Sequence, residues 1–107
     1  MNNFNVTTHL SEILEESNKS PVIIFKYSSE CRSSERLKEE FEKKVKDKII
    51  DKLIFLVIVQ VHKALSQKIA ELFEIKHESP QIIILKKGRV TYTAHHGNIK
   101  IENFIFE

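Results

Sequence analysis

The chain contains one cysteine, Cys31, set among polar residues: Ser28-Ser29-Glu30 precede it and Arg32-Ser33-Ser34 follow. A structural cysteine packs as a small buried hydrophobe. Polar neighbours instead leave the sulfur partly exposed. The residues after Cys31 read as the opening of a helix, where the dipole and unpaired N–H groups favour a thiolate, the form that attacks disulfides. Arg32 adds a positive charge next door, while Glu30 and Glu35 oppose it. Ser34 occupies the place that the second thiol takes in a Cys-x-x-Cys redox pair. A serine there donates an O–H to a thiolate but forms no disulfide, and it also satisfies backbone groups in a first helical turn. A dithiol oxidises itself to release product. A lone thiol holds a mixed disulfide until an outside thiol attacks.

Ser79-Pro80 is a second candidate, just before an apolar run. By itself it is an ordinary turn proline, and most X-Pro bonds are trans. In the architecture deduced below it falls at the start of the third strand, beside the Cys31 loop. A cis bond there would leave the Ser79 backbone facing outward, where an extended ligand pairs with it as an added strand. The histidines carry less. His95-His96 with His77 or Cys31 invites a metal reading, but adjacent residues on a strand point to opposite faces, so no metal site is expected. His9, His62 and His77 read as surface or hydrogen-bonded residues, and the lysines from Lys43 to Lys52 as a solvated face.

The elements that position these residues follow from apolar spacing. Thr7 or Thr8 caps a first helix with Leu10, Ile13 and Leu14 inward, ending near Asn18-Lys19-Ser20. Pro21 to Tyr27 is a short apolar run rich in β-branched residues, the pattern of a strand covered on both faces. From Arg32 to about Ile49 the spacing is helical, with Leu37, Phe41, Val45 and Ile49 on one stripe, acidic residues early and lysines late. Leu53 to Val61, interrupted by Gln60, reads as a second buried strand. Ser66 to Ile75 is a helix with Leu65, Ile69, Leu72 and Phe73 inward. Gln81 to Leu85 is a third strand. Lys86-Lys87-Gly88-Arg89 is a tight turn in which Gly88 supplies positive φ, and Val90 to Ala94 is a fourth strand. Asn98 caps a last helix with Ile101, Phe104 and Ile105 inward. The order α-β-α-β-α-β-β-α gives an α/β fold, a four-stranded mixed sheet with helices on both faces, which is the thioredoxin architecture. A flavodoxin-like alternative needs a helix between the last two strands, and the turn at Lys86 to Arg89 leaves no room for one.

Composition sets the outer bounds. The 107 residues make one domain, spanning 1–107. A net charge of +2 without an aromatic-interleaved basic stripe does not point to nucleic acid. The longest apolar run is about half of the roughly 20 residues that a membrane helix needs. The first residues lack the basic-then-apolar pattern of a signal peptide. With one cysteine no internal disulfide forms, and a cytosolic, reducing setting is expected.

Phe25-Lys26-Tyr27-Ser28-Ser29-Glu30-Cys31-Arg32-Ser33-Ser34 resembles the active-site segment of the monothiol bacilliredoxins, thioredoxin-fold proteins of the bacillithiol system. His77-Glu78-Ser79-Pro80-Gln81 matches closely, Ile69-Ala70-Glu71 also fits, and the likeness runs from about Pro21 to Asn98. The family usually carries threonine before its cysteine and proline after it, where this chain has Glu30 and Arg32. A carboxylate beside the thiol raises its pKa, and loss of the proline loosens the first helical turn. The resemblance implies thiol–disulfide exchange in which Cys31 removes bacillithiol from S-thiolated proteins, with no bound cofactor and bacillithiol as the thiol co-substrate. Ser79 and Pro80 would be the ligand-docking element, Ser34 and Arg32 the neighbours of the thiolate, and Lys26 and Arg32 the cations that attract the malate carboxylates of bacillithiol. The rival expectation is a non-enzymatic module of the same fold that binds a partner or senses oxidation through Cys31.

Overall fold

The computed structural model describes residues 4–103. Its elements are α1 (Leu10–Lys19), β1 (Val22–Tyr27), α2 (Arg32–Lys46), β2 (Leu53–Ile58), α3 (Lys63–Phe73), β3 (Gln81–Lys86) and β4 (Arg89–His95), followed by two short 3-10 turns, His96–Asn98 and Ile101–Asn103. The strands form one sheet in the order β2-β1-β3-β4. β1 runs parallel to β2 and antiparallel to β3, and β3 and β4 form an antiparallel hairpin. The sheet is therefore mixed.

Alternation along β1 divides the core. Ile23, Phe25 and Tyr27 face α2, where they meet Leu37, Phe41 and Val45. Val22 and Ile24 face α1 and α3, where they meet Ile13, Leu65 and Ile69. All six β1 residues are buried, which is why the run shows no polar face. Phe25 and Phe41 pack with ring centroids 5.0 Å apart, at the centre of the α2 side. The hairpin turn places both Lys87 and Gly88 at positive φ, 52° and 73°, the geometry that matches the twist of a two-residue hairpin. Ser17 of α1 seals this turn, accepting from the N–H of Lys87 at its carbonyl (2.8 Å) and from that of Gly88 at Oγ (3.0 Å).

Several boundaries differ from the expectations. His9, not Thr7 or Thr8, is the N-cap of α1, and Thr7 Oγ1 accepts from the His9 N–H one step earlier. α2 stops at Lys46 because Lys48 turns into the left-handed region, φ 60°. Ile49 is then 45% exposed and Ile50 enters the core in its place. β2 ends at Ile58, so Val61 is exposed and Gln60 lies in the turn beyond the strand. α3 starts three residues earlier than expected, and Leu72 lies off its buried stripe, 53% exposed. In place of a final helix capped by Asn98 there are the two 3-10 turns, with Asn98 exposed inside the first and Ile101 wholly buried. Phe104 and Ile105 lie outside the described residues. Among the described residues, no helix is long and apolar enough to cross a membrane.

Candidate active site

β1 delivers the chain to a loop, Ser28 to Glu30, and Cys31 is the N-cap of α2. Gln60 fixes this loop from the end of β2. Its amide donates to Ser28 Oγ at 2.6 Å and accepts from the Ser29 N–H at 3.2 Å. The Cys31 N–H donates to the Ser28 carbonyl at 3.2 Å, which closes the turn in front of the helix. Cys31 is thereby partly exposed at the start of α2.

The thiol is held below its ordinary pKa. The N–H of Ser34 is the largest cause and the Ser34 hydroxyl the next, with the N–H and hydroxyl of Ser33 also contributing against an opposing effect of burial. Ser34 is wholly buried, and its Oγ has no hydrogen-bond partner among the described residues. With no other partner, the hydroxyl can donate to a charge on the sulfur. The expected opposition of Glu30 and Glu35 does not prevail. Glu30 is exposed to solvent. Glu35 is drawn away to accept from the hydroxyl of Tyr27, and that bond, with burial, pushes Tyr27 up to about 12.

Facing the thiol is a cleft of about 490 Å³ lined by Cys31, Ser33, Arg36 and Leu37 on one side and by Ser79, Pro80 and His96 on the other. The Ser79–Pro80 peptide bond is cis. Ser79 Oγ is a second buried oxygen without a partner among the described residues. The His96 N–H donates to the Pro80 carbonyl at 3.0 Å, so the end of β4 clips the Ser-Pro loop in place. His96 Nε2 lies 3.4 Å from Glu78 Oε2.

Cys31, Ser34, Ser79 and Pro80 are therefore brought together, whereas Arg32 and Lys26 are not at the cleft. The α2 face that meets the cleft runs Ser33, Arg36, Leu37, Glu40, and Arg32 lies outside it. Lys26 belongs to the opposite face of β1, wholly buried, with Nζ against the Ser66 carbonyl and His77 Nδ1. It cannot attract a ligand at the thiol. The adjacent histidines also depart from the expected opposition: His96 leaves the strand at φ 51° and its ring meets that of His95 edge to face at 5.2 Å. Arg36 and Gln60 were not singled out from the sequence as site residues, and His96 was weighed there only as a metal ligand. For Gln60 the signal was present, as an amide interrupting an apolar run; for the place of His96 at the cleft there was none, because only the hairpin carries it to Pro80.

A cysteine at the N-cap position of a helix, facing a Ser-Pro loop across an open cleft on a sheet ordered β2-β1-β3-β4, defines a thioredoxin-fold protein with a single cysteine at its site. Solved structures share that fold. A chain described as a candidate oxidoreductase with a thioredoxin fold is similar with a TM-score of 0.80 at 25% identity, over 94% of this chain and 88% of that one. The oxidised thioredoxin of Plasmodium falciparum is similar with a TM-score of 0.69 at 19% identity, over 95% and 94% of the two chains. The thioredoxin of Malassezia sympodialis is similar with a TM-score of 0.70 at 16% identity, over 89% and 80%. The family model described as monothiol bacilliredoxin BrxC matches residues 2–104, and the chain belongs to the monothiol bacilliredoxin family. Family and fold together give it a thiol-redox role.

Proposed function

We propose that the protein removes bacillithiol from S-thiolated proteins by monothiol exchange, in a reducing cytosol. The Cys31 thiolate attacks the bacillithiol sulfur of a protein–bacillithiol disulfide. A bond forms between Cys31 and that sulfur; the electron pair of the broken S–S bond leaves on the protein sulfur, which takes up a proton. Ser34 forms no disulfide, so Cys31 keeps the bacillithiol until a second thiol, free bacillithiol or a partner reductase, attacks the adduct and restores the thiolate. The observation that carries this reading is the acidified, partly exposed Cys31 sharing one cleft with Ser79 and Pro80 while a buried serine holds the resolving position. The extended backbone of the ligand pairs with Ser79 as an added strand. Arg36, on the cleft wall, offers a planar guanidinium to the malate carboxylates of bacillithiol.

The test is to incubate the protein with a bacillithiolated substrate and weigh both chains by intact mass spectrometry. The substrate should lose the bacillithiol mass and Cys31 should gain it, and added free thiol should then discharge Cys31. If the adduct stays on the substrate and Cys31 gains no mass, the reading is wrong.

A further inference from the structure

The loop His77 to Pro80 is held on both sides of Ser79. On the cleft side, His96 fixes Pro80 and faces Glu78. On the α3 side, the contact is with a charge that has no counter-ion. Lys26 is wholly buried in β1, and its Nζ donates to the Ser66 carbonyl at 3.2 Å and meets His77 Nδ1 at 3.3 Å. Among the described residues no carboxylate lies within ion-pair distance of it. Buried ammonium groups are almost always paired with an anion; here a neutral imidazole takes that place. Ser66 Oγ also lies 3.3 Å from the same Nδ1. An ammonium can only donate, so the Nδ1 that faces Lys26 is the acceptor, which puts the ring proton on Nε2.

We propose that Lys26 and His77 are positioning residues for the docking edge: the buried ammonium holds His77 as an acceptor, His77 holds the Ser79 backbone against the cleft, and protonation of His77 releases that edge while leaving the thiol intact. This rests on the reading of Ser79 as the edge that pairs with the ligand. The sign follows from the contact. A proton on Nδ1 turns an acceptor into a donor and sets two cations against each other at 3.3 Å, so the contact opens on the acid side. The groups facing His77 agree with this. Burial first, and then the charge of Lys26 in β1, lower its pKa, and Glu78 of its own loop raises it by less. From α3, Ser66, Gln67 and Lys63 line the cavity that it borders, and Lys63 is a further cation. Glu78 is itself shared with Lys76 at 3.8 Å and His96.

Two rates separate docking from thiol acidity. Iodoacetamide reports the thiolate alone, whereas exchange with a bacillithiolated peptide also needs the docking edge. The ratio of exchange to alkylation across pH cancels the titration of Cys31. In the native chain this ratio should fall severalfold on the acid side. His77→Asn retains an acceptor oxygen but takes no proton, so it should keep the neutral-pH ratio and lose the acid fall. His77→Leu removes the acceptor and should depress the ratio at every pH. His96 remains in all three chains, so a fall that persists in His77→Asn belongs to His96 and overturns the proposal, as does a ratio flat with pH in the native chain. If the native chain exchanges at no pH, the functional reading fails separately. NMR then decides the coupling, because the Ser79 amide shift should follow the titration of the His77 ring and should lose that dependence in His77→Asn. A Ser79 amide indifferent to His77 refutes the proposal.

Discussion

Burial of Lys26 predicts an alkaline rise in stability. The side chain is wholly buried, and desolvation brings its pKa from 10.5 down to about 8. Each tenfold in proton affinity is worth about 1.4 kcal/mol, so the ammonium is less stable there than in water by about 3 kcal/mol. At neutral pH the proton is bound in both states and stability carries the whole of this cost. Between about pH 8 and 10.5 the unfolded chain still holds the proton and the folded chain does not. Stability therefore rises with pH across that window. Integrated from about pH 7.5 to about pH 9.5, the gain from this residue is about 2 kcal/mol. Cys31 acts in the same direction, since its thiol is held below 9.0, so the comparison is made with Cys31→Ser in both chains. Tyr27 acts oppositely above pH 10, keeping a proton that the unfolded chain loses, so the scan stops below that point. Urea unfolding of Lys26→Met beside the lysine chain should show the lysine chain gaining about 2 kcal/mol over this range relative to the methionine variant. Parallel stability curves would refute the claim that a charged amine is buried beneath the His77 loop.

Three further outcomes are expected. Ser34→Ala removes one hydroxyl donor to the thiolate, so alkylation of Cys31 near neutral pH should slow severalfold; an unchanged rate would mean that the backbone donors suffice. Arg36→Ala should weaken turnover of a bacillithiol adduct severalfold while leaving exchange with an uncharged small-thiol adduct unaltered, and equal loss for both would remove Arg36 from ligand recognition. Phe41→Ala should lower stability by about 3–5 kcal/mol, measured by urea unfolding, because Phe41 is wholly buried against Phe25 on the face of the sheet that α2 covers.

The strands and helices were legible because their signals are local. β-branched runs mark β1 and β3, and the four-residue spacing of Leu37 and Phe41 marks the buried stripe of α2. Some boundaries failed where a non-glycine residue enters the left-handed region. Lys48, Glu74 and His96 all do so, and nothing in their side chains announces it. Lys26 was misread for a related reason. Its identity says charge, and charge usually seeks water. The alternation of β1 sends it instead to the face that α3 covers, and its acceptor on Ser66 lies 40 residues away.

The sequence by itself determined the chemistry available: one thiol at a strand-to-helix junction, a serine where a second thiol would stand, and a Ser-Pro pair before a strand. Each follows from residue type and from neighbours within a turn or two. Only the tertiary structure decided which groups act on that thiol. The sheet order places β3 beside β1 and so brings Ser79 and Pro80 to Cys31. The hairpin returns His96 to Pro80, the Tyr27 hydroxyl draws Glu35 from the sulfur, and α3 closes over Lys26. These contacts join residues far apart in the chain, and their energies exist only once the apolar faces have packed.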